Sequence, residues 1–87
     1  MMDYLNNCIL LGKYESITTT NNTSCLTIIL SNEDGDITIP ITIESEIANK
    51  LINKCDIGSL IGIKGKIDVD EHGLIIIAEK ITFMSYK

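Results

Sequence analysis

The segment Ile57-Gly-Ser-Leu-Ile-Gly-Ile-Lys-Gly-Lys-Ile67 leaves this chain the least choice of fold. It follows a short helical pattern, opens on a Gly-Ser turn and runs directly into a strand punctuated by glycine. A glycine inside a strand marks a bulge, a sharp bend or a close backbone approach. Gly62 and Gly65, three apart in one strand, imply a sheet that coils hard enough to close on itself, and small β-barrels need such corners.

The rest of the pattern agrees with a β-rich chain. Leu5 to Lys13 reads as a first strand centred on Ile9-Leu10-Leu11, with Gly12 offering a bulge. Glu15 to Ser24 is rich in Thr, Asn and Ser without periodicity and reads as a flexible connection. Cys25 to Ser31 is a second strand, with Leu26, Ile28 and Leu30 on one face and Thr27, Ile29 and Ser31 on the other. Asn32-Glu-Asp-Gly35 is a hairpin turn. In the third strand, Asp36 to Ile43, four isoleucines alternate with Thr38, Pro40 and Thr42, a period of two; Pro40 marks an edge or a bulge. Ser45 is placed to cap a helix of about ten residues, with Ile47, Ala48, Leu51, Ile52 and Cys55 as its apolar stripe. Leu60 to Asp68 is the fourth strand, Asp70-Glu-His-Gly73 a turn, and Leu74 to Phe83 the fifth. Leu74 to Ala78 is apolar on both faces, which calls for a central position or cover by another subunit. The expectation is one all-β domain over residues 1–87, a small five-stranded barrel with one helix between strands three and four.

Composition limits the partners. The 87 residues carry seven lysines, no arginine and twelve carboxylates, a net charge of −5 at pH 7. That opposes the basic footprint of most nucleic-acid binders, although local patches matter more than the sum. The missing arginine removes bidentate phosphate forks and guanidinium stacking. Cys8, Cys25 and Cys55 are far apart, with no CxxC and a single histidine, so neither a zinc site nor another metal or cofactor is expected. The opening Met-Met-Asp-Tyr-Leu-Asn-Asn has no basic stretch and no apolar core, and no run approaches membrane-spanning length. A reducing cytosol is the expected compartment.

Five strands with a helix between the third and fourth is the order of the OB-fold, a partly open Greek-key barrel. Asn7-Cys-Ile-Leu-Leu-Gly-Lys13 resembles the first strand of bacterial single-stranded-DNA-binding proteins, where an Asn precedes alternating aliphatics, a Gly and a basic residue. The Ile57–Ile67 segment resembles their fourth strand, and Ile76-Ile-Ala-Glu-Lys-Ile-Thr-Phe83 is similar to their closing strand. The small dimeric primosomal replication protein n, a relative of that family, fits the length equally well. The resemblance implies a sequence-tolerant single-stranded-DNA-binding protein acting in replication or mobile-element DNA handling. It also implies association through the first strand into a homodimer or higher homo-oligomer, with a replication protein as a further candidate partner.

The residues qualify that implication. In the family, single strands lie across the outer face between aromatic platforms and basic side chains, and stacking contributes roughly 1–3 kcal/mol per base. Here the outward residues of strands two and three are Thr27, Ile29, Ser31, Thr38, Pro40 and Thr42, none aromatic and none charged. The aromatics are Tyr4, Tyr14, Phe83 and Tyr86. Lys13, Lys64, Lys66 and Lys80 fall in strands one, four and five; Lys64 and Lys66 share a face, either to track a phosphate backbone or to keep the sheet soluble. Tyr14 either stacks a base or fills the barrel rim, and Phe83 continues the apolar phase of Ile81 into the core. The candidate nucleic-acid contacts are therefore Lys13, Tyr14, Lys64, Lys66 and Lys80. Asp68, Asp70, Glu71 and His72 do not match a calcium loop, Gly58, Gly62 and Gly65 do not match a phosphate loop, and no nucleophile is paired with a base. No enzyme is expected. The second reading is an OB-fold protein–protein interaction module that has lost nucleic-acid binding.

Overall fold

Residues 6–84 are described by the computed structural model. β1 (Asn7–Thr20), β2 (Thr23–Asn32) and β3 (Gly35–Glu44) form a meander; α1 (Ser45–Lys54) follows, and β4 (Leu60–Asp70) and β5 (Gly73–Phe83) complete it. The strands close in the order β1-β2-β3-β5-β4, with β4 returning to β1. Every pairing is antiparallel except β3 with β5, which run parallel and meet at Thr42 and Ile77. This is the five-stranded OB-fold barrel with its helix between β3 and β4, as the order of elements requires. Tyr4, Tyr86 and the expected strand start at Leu5 lie outside the described residues.

Alternation in the strands builds the core. Leu26 and Ile28 of β2, Ile41 and Ile43 of β3, and Ile61 and Ile63 of β4 point inward and are fully buried or nearly so. Each such side chain stabilises the fold by about 1.5–3 kcal/mol relative to exposure. α1 closes one end of the barrel, with Ala48 and Leu51 buried. A return turn at Gly58-Ser59 ties the chain back to β1: the Tyr14 N–H donates to the Ser59 carbonyl, and the Gly58 N–H donates to the Tyr14 carbonyl, both at 2.8 Å.

Three expectations are corrected. The polar stretch Glu15–Ser24 is not a flexible connection, because β1 runs on to Thr20, turns at Asn21-Asn22 and pairs with β2 from Thr23. Threonine is β-branched and favours strands, Asn21 takes the positive φ of the turn at 56°, and Thr19 Oγ1 and Ser24 Oγ share a hydrogen bond of 2.9 Å. The bulge of β1 falls between Tyr14 and Ser16 rather than at Gly12. Gly12 is instead a close approach, since a Cβ there would lie 2.8 Å from the Ile29 carbonyl oxygen. Ser45 does not cap α1: Glu44 is the N-cap residue and makes no side-chain cap bond, while Ser45 Oγ donates to the Asn22 carbonyl at 3.3 Å.

The two glycines of β4 have different work. A Cβ on Gly65 would overlap the carbonyl oxygen of Ile77, so backbone passes where a side chain would stand. Opposite it, the β4–β5 register shifts: Lys64 pairs with Lys80 and Gly65 with Ala78, leaving Glu79 as an extra residue in β5. Gly62 has ordinary room, its nearest side-chain atom being Met84 Sδ at 3.8 Å.

Candidate nucleic-acid interface

The β5 bulge decides which side chains meet. Before it, Ala78 is buried and Ile76 packs on the core; after it, Ile81 and Phe83 do so. Inward residues thus change from even to odd across Glu79. Without the extra residue Lys80 would point into the barrel. With it, Lys80 is exposed opposite the exposed Lys64. Lys66 lies two residues further along the same face, across from Asn7 of β1 and Ile77 of β5. Three of the candidate lysines are therefore brought together. Lys13 is exposed but separate: it pairs with Leu60, four residues along β1 from Ile9, the partner of Lys64, and that is roughly 13 Å at the rise of a strand.

Beside the lysines lies an apolar groove of about 350 Å³ whose floor is Gly62 and whose walls include Ile9, Leu11, Lys64, Thr82 and Met84. Ile9 is 82% exposed and Leu11 53%. Gly62 creates the depression by lacking a side chain beneath Met84. Lys64 facing Lys80 directly is an unfavourable cross-strand pair, costing up to about 1 kcal/mol against a neutral pair.

Tyr14 is corrected as a stacking candidate. It is 7% exposed and belongs to the core with Leu26, Ile28 and Ile63. Because β1 continues past it, Tyr14 sits mid-strand, inward in the same phase as Leu10 and Gly12.

The outward residues of β2 and β3 are those read from the sequence: Thr27, Ile29, Ser31, Thr38, Pro40 and Thr42 carry no charge, and at the end of their face Ser31 Oγ donates to Asp36 Oδ1 at 2.7 Å. The fold adds an electrostatic boundary. Because β3 and β5 run parallel, the β2–β3 and β4–β5 turns project from the same end of the barrel. Glu33, Asp34 and Asp36 of one and Asp68, Asp70 and Glu71 of the other gather there without a lysine between them. The turns are built alike. Asn32 Oδ1 accepts the Asp34 N–H at 2.8 Å and Asp70 Oδ1 accepts the His72 N–H at 2.7 Å, with Gly35 and Gly73 at positive φ.

Sequence reasoning missed a second basic locus. Between α1 and β5 is a hollow of about 220 Å³ lined by Ile47, Lys50, Glu79, Lys80, Ile81 and Phe83. Lys54 Nζ stands 5.9 Å from the centroid of the half-buried Phe83 ring, a cation–π contact worth about 0.5–1 kcal/mol. The signal was present in two places: Ile47, Lys50 and Lys54 recur at helical spacing, and the apolar phase slips between Ala78 and Ile81. Among the described residues no three His, Cys, Asp or Glu side chains form a metal-holding group, and no helix is long and apolar enough to cross a membrane.

No family model and no curated protein matches the chain. Solved structures do. The mitochondrial single-stranded DNA binding protein Rim1 of S. cerevisiae superposes with a TM-score of 0.78 at 16% identity, over 93% of this chain and 94% of its own. An OBody bound to hen egg-white lysozyme gives 0.72 at 14%, over 93% and 80%. A chain of the S. pombe Stn1–Ten1 complex gives 0.70 at 13%, over 91% and 58%. Likeness at these identities establishes the OB-fold.

Proposed function

We propose that this chain is a non-enzymatic, sequence-tolerant single-stranded-DNA-binding protein of the OB-fold type, acting in the cytosol in replication or mobile-element DNA handling. The observation that carries the reading is the convergence of Lys64, Lys66 and Lys80 on one outer face beside an apolar groove. Phosphates neutralise the lysines, and bases lie against Gly62, Thr82 and Met84 rather than against aromatic platforms. The likeness to Rim1, a single-stranded DNA binding protein, supports it. Self-association through Ile9 and Leu11 of β1 gives a dimer with the lysines at the rim of the joint, where one strand can touch both copies.

Titration of fluorescein-labelled oligo-dT tests the reading. Binding at low salt should weaken linearly in log salt, and Lys64→Ala/Lys66→Ala should reduce the slope by about 1.4, the loss of two single-strand phosphate contacts. Absence of binding at low salt would overturn it.

One observation favours the second reading, a protein–protein module: Ile9, Leu11 and Met84 are a contiguous exposed apolar patch, and such patches mark protein interfaces. The likeness in fold to an OBody bound to hen egg-white lysozyme supports that reading.

A further inference from the structure

We propose that the hollow between α1 and β5 is a nucleotide pocket of the same DNA-binding protein, in which Phe83 stacks one base and Lys50 and Lys54 hold the flanking phosphates. The inference rests on the proposed function and assigns that function a second contact region. Among the described residues Phe83 is the aromatic whose ring is reached from solvent, since Tyr14 is enclosed by the core. Ile47 and Ile81 complete an apolar wall around it, and the charged groups stand at the rim.

Charge favours an anionic occupant. Of the charged groups lining the hollow, Lys50 and Lys80 outnumber Glu79; Lys54 stands over Phe83 and Glu46 lies one turn before Lys50 on α1, three lysines to two carboxylates in a chain whose net charge is −5. Lys50 and Lys54 are four apart on one helix face, a like-charge spacing that destabilises a helix. Lys80 is also half of the like-charged Lys64–Lys80 pair. Two unfavourable arrangements thus flank one lysine, and local rules are broken where a site requires it. Lys80 belongs to both loci, so a strand held by Lys64 and Lys66 continues past it into the hollow. The volume of about 220 Å³ falls below that of pockets for drug-sized ligands, about 300–1,000 Å³, and suits a single planar ring rather than a protein segment. The base takes the place of Lys54 on the ring, freeing its ammonium group for phosphate. Glu79 is the acceptor available to a base N–H.

The test compares variants by oligo-dT titration across salt. Lys50→Ala/Lys54→Ala changes two exposed helix positions to the best helix former, so the fold is kept. It should weaken binding and lower the salt slope by about 1.4. Phe83→Leu keeps the apolar packing and should weaken binding by about fivefold or more, with the slope unchanged, because stacking releases no counterions. Thermal melting of both variants checks that loss of binding is not loss of fold. If both bind as the unsubstituted chain does while Lys64→Ala/Lys66→Ala is impaired, the pocket is refuted and the proposed function stands. If oligo-dT does not bind at all, both fall. Binding of poly-glutamate that depends on Lys50 and Lys54, without oligo-dT binding, would assign the hollow to an acidic protein partner and refute the proposal.

Discussion

The outer face of β2–β3 and the outer face of β4–β5 belong to one barrel and differ in nearly everything a ligand senses. The first presents Thr27, Thr38, Pro40 and Thr42 and carries no lysine; it ends at the acidic β2–β3 turn, where Asp36 accepts a hydrogen bond from Ser31 Oγ at 2.7 Å. The second presents Lys64, Lys66 and Lys80 beside the groove walled by Ile9, Leu11 and Met84. A net charge of −5 therefore describes neither face. The acid is concentrated where β3 and β5, running parallel, carry both turns to one end. What distinguishes the basic face is a single extra residue, Glu79, which rotates Lys80 out of the core. Bulges re-aim side chains in this way near sites.

The largest expected effect concerns what creates the difference. Gly65→Val forces a side chain into the Ile77 carbonyl and should cost about 3 kcal/mol or more by chemical denaturation, as overpacking against backbone does, whereas Gly62→Ala should change stability by less than about 0.5 kcal/mol. Equal costs at both glycines would break the distinction between close approach and groove floor. Next comes charge reversal. Lys64→Glu/Lys80→Glu should lower oligo-dT affinity at least about tenfold at about 0.1 M salt, while Thr27→Glu/Thr38→Glu should change it by less than about threefold, because a screening length of about 10 Å confines each charge to its own face. A reversed ranking would move the site to β2–β3. Ile9→Asp/Leu11→Asp, at exposed positions, should shift light-scattering mass towards the monomer and make the melting temperature independent of protein concentration. The smallest effect belongs to Lys13→Ala: one isolated lysine should reduce the salt slope by about 0.7 at most, and a larger change would extend the site along β1.

The two faces were not equally legible in the sequence. The alternation of Ile37, Ile39, Ile41 and Ile43 with threonine and proline announces the β2–β3 face directly, and its outward residues are where parity puts them. The β4–β5 face follows only after a phase slip is noticed: Ile76 and Ala78 point inward, then Ile81 and Phe83. Glu15 causes the same slip in β1. Glu15–Ser24 reads as a connection because its Asn and Ser residues signal turns, although its threonines favour strands and Ile17 alone marks the inward face. That pattern ends β1 at Lys13 and sets Tyr14 on a rim instead of mid-strand. The placing of the carboxylates at one end could not be read from local pattern, since it depends on two turns 38 residues apart, centred on Asp34 and His72, projecting the same way because β3 and β5 run parallel. The hollow at Phe83 is hidden for a similar reason: Ile47 and Lys50 of α1 and Glu79 to Phe83 of β5 come together only through the fold.

The central claim is that a single strand is held on the lysine side of the barrel and not on the β2–β3 face. Amide chemical-shift mapping of isotope-labelled protein with a short oligo-dT at low salt tests it directly. The account predicts shifts concentrated at Ile9, Lys64, Lys66 and Lys80, with Thr27, Ile29, Thr38 and Thr42 unmoved. Shifts centred on Thr27, Ile29 and Thr42, or none anywhere, would contradict it.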